Sequence, residues 1–146
     1  MSLAMRREQR EAFLAAVHVG VLSAAADGDR GPLAIPVWYS YTPGGTVNVI
    51  TGRNSRKARL VRSGGRFTIC VQTEAIPYQY VTAEGPVDTI EDPVTPEERR
   101  AMAERYLGQA GAAQYIAATS EQGLEDIVIR MRPEHWLSAD FTSEFA

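Results

Sequence analysis

The chain has 146 residues, of which 45% are hydrophobic and 23% charged, with a formal net charge of -3. This size suits a single domain over residues 1–146, with residues 1–3 read as an expression leader. The mild acidity argues against a nucleic-acid partner. No apolar run is long enough to span a bilayer. One cysteine and two histidines exclude an internal disulfide framework and a metal site built from these residues. We therefore expect a cytoplasmic protein without metal, membrane or nucleic-acid partners.

The pattern of apolar residues, turn residues and caps divides the chain into strands and a few helices. In chain order it predicts a helix over 4–17, strands over 19–25, 33–41 and 46–51, a helix over 55–63, strands over 66–73 and 78–90, helices over 95–107 and 110–120, and a strand over 124–131. Pro36 has no ladder donor, so its strand should lie at an edge or be bulged there. Most links are hairpin-like, which predicts a small, mainly β (α+β) antiparallel barrel with peripheral helices.

The stretch "TGRNSRKARLVRSGG" (51–65) holds five cationic side chains, including the only lysine of the chain. On a helix starting after the N-cap Ser55, the arginines at 56, 59 and 62 share one arc, which should face solvent. Lys57 lies on the opposite arc, among apolar positions and in the first turn. There it either extends to solvent or meets an anion such as a phosphate, which a helix N-terminus also attracts.

Three segments carry a resemblance in their order and spacing: "GVLSAAADGDRGPLAIPVWYSY", "VITGRNSRKARLVRSGGRFTICV" and "PYQYVTAEGPVDTI". Together they resemble the pyridoxamine 5′-phosphate oxidase-like family of flavin- and deazaflavin-binding split barrels, over roughly residues 10–137. The resemblance implies a six-stranded antiparallel split β-barrel of Greek-key-like topology. It also implies a homodimer with the cofactor at the subunit interface.

The resemblance implies two groups of cofactor-binding residues. The segment after the third strand would hold the phosphate and tail of the cofactor, through Thr51, Arg53, Ser55, Arg56 and Lys57. The strand "PVWY" would run beside the isoalloxazine ring, through Pro36, Val37, Trp38 and Tyr39. Trp38 is the best ring-pocket candidate because it alternates with Val37 and Tyr39, whereas Tyr78 and Trp136 are candidates for a substrate pocket.

No nucleophile–base constellation is present, which fits chemistry carried by a cofactor rather than by catalytic side chains. Fourteen arginines against one lysine indicate a GC-rich genome, and the chain lacks the arginine-rich C-terminal segment of the vitamin B6 oxidases. It looks more like the small actinobacterial members that use coenzyme F-420. We expect an oxidoreductase that transfers hydride from reduced F-420 to a small planar substrate. The alternatives are an FMN-binding oxidase or reductase, and a non-enzymatic flavin or haem carrier or cofactor-sequestering protein.

Overall fold

A computed structural model describes residues 2–145, which form eight strands, four α-helices and a short 3-10 helix. The strands are β1 (Gly20–Ala24), β2 (Leu33–Val37), β3 (Ser40–Tyr41), β4 (Val47–Gly52), β5 (Arg66–Gln72), β6 (Gln79–Glu91), β7 (Asp126–Met131) and β8 (His135–Asp140). The helices are α1 (Arg7–Ala15), α2 (Arg56–Gly64), α3 (Pro96–Ala118) and α4 (Ser120–Gly123), and the 3-10 helix is Thr142–Glu144.

All the strand pairs are antiparallel, and the strands follow the order β2-β1-β5-β6-β7-β4-β3 with β8 also beside β6. The long strand β6 pairs with β5 through residues 80–86 and with β7 through residues 87–91. A register shift between Val87 and Thr89 marks the change from one partner to the other. Because β6 pairs with β5 along its first part and with β7 along its last part, the sheet curls into the split barrel that the resemblance implies.

The predicted strand over 33–41 forms two separate strands, and this raises the strand count above six. Strand β2 pairs with β1 and lies at the sheet edge, as Pro36 predicts, whereas β3 forms a hairpin with β4. Between them, the hydroxyl of Tyr106 binds the backbone N–H and C=O of Tyr39 and so replaces a strand partner. The other additional strand is β8, which the apolar pattern did not show because only Ala139 in it is fully buried.

The core fills the inside of the curled sheet. Tyr39, Phe67, Leu14, Leu22 and Leu60 are among its largest fully buried side chains. The alternation predicted for the second strand is confirmed, because Val37, Tyr39 and Tyr41 point inward while Pro36 remains exposed. The side chain of Trp38 therefore points to the side opposite Val37 and Tyr39.

Two helices position the residues of interest. Helix α2 begins where the sequence predicts, because the Ser55 side chain accepts a hydrogen bond from the N–H of Ala58 (3.1 Å) and Gly65 ends it at φ 72°. Helix α3 begins after the Thr95 cap with Pro96 in its first turn, as predicted. Gly108, at φ 74°, breaks α3 into the two helical pieces that the sequence indicates.

Candidate functional site

A cavity of about 270 Å³ lies where β4, the start of α2 and the α3–α4 segment meet. It is lined by Trp38, Ile50, Thr51, Lys57, Arg99, Met102, Ala103, Tyr115, Thr119, Gln122 and Asp126. A second cavity of about 310 Å³ shares Trp38, Ile50, Lys57 and Tyr115 with it and extends to Val19, Pro36 and Val37. The two together form one cleft, with Lys57 and Trp38 common to both parts.

Lys57 reaches this cleft because of the helix that carries it. Its helical neighbours Ala58, Leu60 and Val61 are buried, so the same side of α2 carries Lys57 against the protein. Burial lowers the pKa of Lys57, and the nearby charge of Asp126 opposes that shift. Within residues 2–145 its ammonium forms no salt bridge. Lys57 is thus a half-buried cation whose ammonium group can donate hydrogen bonds to an anion.

Asp126 is the only carboxylate among the described residues that line this cleft, and Arg99 is its partner. The Arg99 Nε lies 3.1 Å from the Asp126 Oδ2, and the side chain of Arg99 is only 10% exposed. Arg99 also donates to the Oγ1 (2.6 Å) and the carbonyl oxygen (3.2 Å) of Thr119. Two cations and one carboxylate leave one positive charge in excess, which favours an anionic ligand near Lys57.

One wall of the cleft consists of stacked aromatic rings. The ring of Trp38 lies parallel to that of Tyr106, with centroids 5.0 Å apart and an interplanar angle of 7°, and it contacts Tyr115 at 5.2 Å. The Tyr106 hydroxyl is within hydrogen-bonding distance of the carbonyl oxygens of His18 (2.7 Å) and Tyr39 (3.0 Å) and accepts from the N–H of Tyr39 (3.0 Å). These contacts fix the backbone and the ring of Trp38, so a planar ligand would meet a rigid wall.

The sequence profile described as pyridoxamine 5′-phosphate oxidase matches residues 6–136. The chain belongs to the pyridoxamine 5′-phosphate oxidase-like family. The match covers strands β1 to β7, the first two residues of β8 and the cleft residues. This family includes oxidoreductases. Among curated proteins, none matches the sequence.

Solved structures share this split-barrel fold at low sequence identity. An F-420 reductase superimposes with a TM-score of 0.71 at 19% identity, covering 87% of this chain and 94% of its own. The conserved hypothetical protein Rv2991 from Mycobacterium tuberculosis gives 0.76 at 18% identity, covering 99% and 91%. An FAD and haem binding protein from Mycobacterium smegmatis gives 0.68 at 14% identity, covering 95% and 73%. At these identities the similarity shows the fold.

The structure places part of the segment that was predicted to bind the cofactor phosphate in the Lys57 cleft. Thr51 and Lys57 line it, and Ser55 lies just outside, capping α2 and bonding the Thr51 hydroxyl at 3.0 Å. Arg53 instead forms two hydrogen bonds with Asp92, at 2.6 and 2.7 Å. Arg56 is exposed and lies outside the cleft lining. Their contacts with a cofactor stay predictions.

The predicted ring segment divides in the same way. Pro36, Val37 and Trp38 line the cleft. Tyr39 is fully buried, and its hydroxyl donates to the carbonyl oxygen of Leu14 at 2.6 Å. Burial raises the pKa of this hydroxyl, which keeps it neutral. The side chain of Tyr39 therefore packs in the core, and the alternation of the strand explains why it and Trp38 have different surroundings.

The two residues predicted for a substrate pocket lie away from this cleft. Tyr78 is exposed and contacts Phe145 edge to face, with ring centroids 6.1 Å apart. Trp136 packs beside Tyr41, with ring centroids 6.2 Å apart, and lines a separate cavity. Within one chain neither residue reaches the Lys57 cleft, and their contact with a substrate stays a prediction.

The sequence reasoning missed the cleft residues on α3, α4 and β7. One signal for Arg99 was present: Arg99, Met102, Ala103 and Tyr106 follow the spacing of an apolar helix stripe. An arginine on such a stripe is as unusual as Lys57 on α2. Thr119, Gln122 and Asp126 reach the cleft through tertiary packing, and local patterns carry no sign of it.

Two general properties follow from the described residues. None of the helices over residues 2–145 is long and apolar enough to cross a membrane. The same part of the chain holds no group of three or more His, Cys, Asp or Glu side chains that could bind a metal ion.

Tyr106→Phe is expected to lower cofactor affinity by about three- to tenfold, because it removes the hydrogen bonds at the Tyr39 backbone but keeps the ring against Trp38. The intrinsic fluorescence of Trp38, measured with Trp136 replaced by Phe, should also change. Tyr115→Phe is the matched control, because no hydrogen bond of the Tyr115 hydroxyl is seen in residues 2–145. Equal affinities for the two variants would contradict the positioning role of the Tyr106 hydroxyl.

Proposed function

We propose that this protein is a cytoplasmic oxidoreductase that binds reduced coenzyme F-420 and transfers hydride to a small planar substrate. The observation that carries the proposal is the position of Lys57 and Trp38 in one cleft, at the N-terminus of α2. A deazaflavin has both a planar ring and an anionic phosphate. A wall of aromatic rings beside an available cation offers a surface for each of them.

The chain's own residues would bind and orient the cofactor. Ser55 accepts from the N–H of Ala58, while the N–H groups of Arg56 and Lys57 precede the first intrahelical bonds and can donate to a phosphate. The ammonium of Lys57 would add a charge-assisted bond. Trp38, held by Tyr106, would flank the ring. The bound cofactor supplies the hydride, and the protein supplies its position and the exclusion of water.

FMN is the second candidate, and one observation favours it. FMN carries a single phosphate, and the cleft has only one positive charge in excess of its carboxylate. Arg53, predicted to hold the acidic tail of F-420, is occupied by Asp92. Among the exposed arginines of α2 (Arg56, Arg59 and Arg62), Arg59 pairs with Asp27 and Arg62 lies in the last turn. Arg56 still supports F-420, because it lies in the first turn of the helix and could contact a tail that leaves the cleft.

We also propose that the protein is a homodimer, through an apolar row on the outer face of the sheet. Five residues on neighbouring strands are paired in register and therefore lie on the same face of the sheet. They are Pro36, Val21, Cys70, Thr82 and Leu137. Val21 is 41% exposed and Leu137 is 62% exposed. Pro36 also lines the cleft, so a second copy on this face would border the cofactor.

Leu137→Glu is expected to convert the dimer to a monomer, because it places a charge within the proposed interface. Sedimentation velocity at micromolar concentration measures the change. Leu124→Glu is the control, since Leu124 is 78% exposed and lies outside the row. A wild-type chain that sediments as a monomer, or a Leu137→Glu variant that remains a dimer, would contradict this interface.

Turnover tests the enzymatic part of the proposal. The protein is mixed anaerobically with reduced F-420 and a panel of quinone and enone acceptors, and oxidation of the cofactor is followed by absorbance. We expect protein-dependent oxidation with at least one acceptor and slower oxidation with Lys57→Ala. Tight binding without turnover on the whole panel would contradict an oxidoreductase and support the carrier function instead.

A further inference from the structure

Another cavity, of about 220 Å³, is lined by residues of α1, β3, the β7–β8 turn and β8. Helix α1 contributes Arg7 and Arg10 to it, the β7–β8 turn contributes Arg132, and β8 contributes Trp136. The rest of the lining consists of Glu11, Tyr41, Gly44, Gly45 and Pro133. It shares no lining residue with the Lys57 cleft, and the function proposed above makes no use of its arginines.

Arg10 is the residue that points to a ligand. Its guanidinium carbon lies 4.7 Å from the centre of the Trp136 ring. Its Nε is buried and has no hydrogen-bond partner within residues 2–145, and it forms no salt bridge there. A buried donor without a partner is unfavourable, and a ligand acceptor would remove that cost. Stacking on Trp136 fixes the plane of the guanidinium and presents its edge to an anion.

The carboxylate that lines this cavity, that of Glu11, is already engaged. It accepts from the Tyr41 hydroxyl (3.0 Å) and from the N–H of Gly44 (3.2 Å), and it pairs with Arg7 at 3.5 Å. Three arginines against one glutamate leave two positive charges in excess. Arg132 contacts Asp88 at 3.2 Å and Glu134 at 3.3 Å, but all three of these side chains are about half exposed, and such pairs exchange readily with another anion.

We propose that this cavity is a second ligand site, which binds the phosphoryl group of a small phosphate monoester. The arginines come from two separate elements, α1 and the β7–β8 turn, and so can donate to a tetrahedral oxyanion from different sides. Guanidinium groups pair well with phosphate oxygens. The rings of Trp136 and Tyr41 give the organic part of the ligand an apolar surface.

The two tryptophans make the test specific, because each site contains one of them: Trp38 in the cleft and Trp136 in this cavity. In a Trp38→Phe chain, the fluorescence of Trp136 alone is titrated with inorganic phosphate against sodium chloride of equal ionic strength. We expect a saturable change with phosphate only. Arg10→Ala and Arg7→Ala should each raise the dissociation constant at least tenfold, and Arg7 is informative because it leaves the Arg10–Trp136 contact intact.

Arg30→Ala is the matched control, since it removes the same charge from an exposed turn outside the cavity. Glu11→Gln should strengthen phosphate binding several-fold, because it removes the one negative charge of the lining. The indole N–H signal of Trp136 in a ¹H–¹⁵N spectrum of the unsubstituted chain gives the second readout. No saturable response of Trp136 to phosphate, or equal responses of Arg7→Ala and Arg30→Ala, would overturn the proposal.

Discussion

Lys57→Ala is expected to weaken cofactor binding about tenfold or more, which corresponds to the loss of one charge-assisted hydrogen bond. The reason is the position of the side chain. Lys57 is the one cation of the cleft whose charge is not matched by a salt bridge within residues 2–145, because Arg99 is paired with Asp126. Titration of the cofactor into each variant, followed by fluorescence, measures the change.

Arg59→Ala is the matched control for Lys57→Ala. It removes the same charge from the same helix, but Arg59 is exposed and pairs with Asp27 at 2.7 Å, outside the cleft. A general electrostatic effect of α2 would weaken binding in both variants. A loss confined to Lys57→Ala supports direct contact with the phosphate, whereas an unchanged affinity in Lys57→Ala would remove the phosphate-binding role from this residue.

Gly85→Ala is expected to destabilise the fold by roughly 3 kcal/mol or more, which lowers Tm by roughly 10 °C. A Cβ on Gly85 would collide with the carbonyl oxygen of Arg132 and lie 2.9 Å from its carbonyl carbon. Those atoms cannot move away easily. The β7–β8 turn is held to β6 by hydrogen bonds from Arg132 N–H to Pro86 (3.0 Å) and from Glu134 N–H to Glu84 (2.8 Å).

Thermal unfolding of Gly85→Ala and of Gly64→Ala provides the comparison. A Cβ at Gly64 would meet nothing within 4 Å, and the position is the last residue of α2, where alanine is favoured over glycine. We expect Gly64→Ala to melt at or above the wild-type temperature. A Gly85→Ala protein with wild-type Tm would mean that the turn can shift, contrary to the packing described here.

Local signals account for the correct parts of the sequence-based prediction. The N-cap Ser55 and the left-handed Gly65 define the ends of α2 within a few residues. A helical wheel of this segment therefore predicted that Lys57 faces the protein and that the arginines face solvent. The alternation around Val37 likewise placed Trp38 correctly. Both predictions needed only the period of one element and its ends.

The parts that the sequence could not predict depend on contacts between distant elements. The break between β2 and β3 is bridged by Tyr106, which lies 67 residues from Tyr39 in the chain. The guanidinium of Arg53 pairs with Asp92, 39 residues away, and its contact with a cofactor stays a prediction. The Arg99–Asp126 pair in the cleft likewise joins residues that are 27 positions apart in the chain. No single-element pattern encodes such partners.

A pair of binding titrations on the cofactor-stripped protein tests the central proposal most directly. FMN and coenzyme F-420 are titrated separately into the same preparation, with fluorescence as the readout and Lys57→Ala in parallel. We predict that F-420 binds more tightly than FMN and that Lys57→Ala weakens its binding about tenfold or more. Tighter binding of FMN would contradict the choice of cofactor, and binding of neither would contradict a cofactor role for the cleft of Lys57 and Trp38.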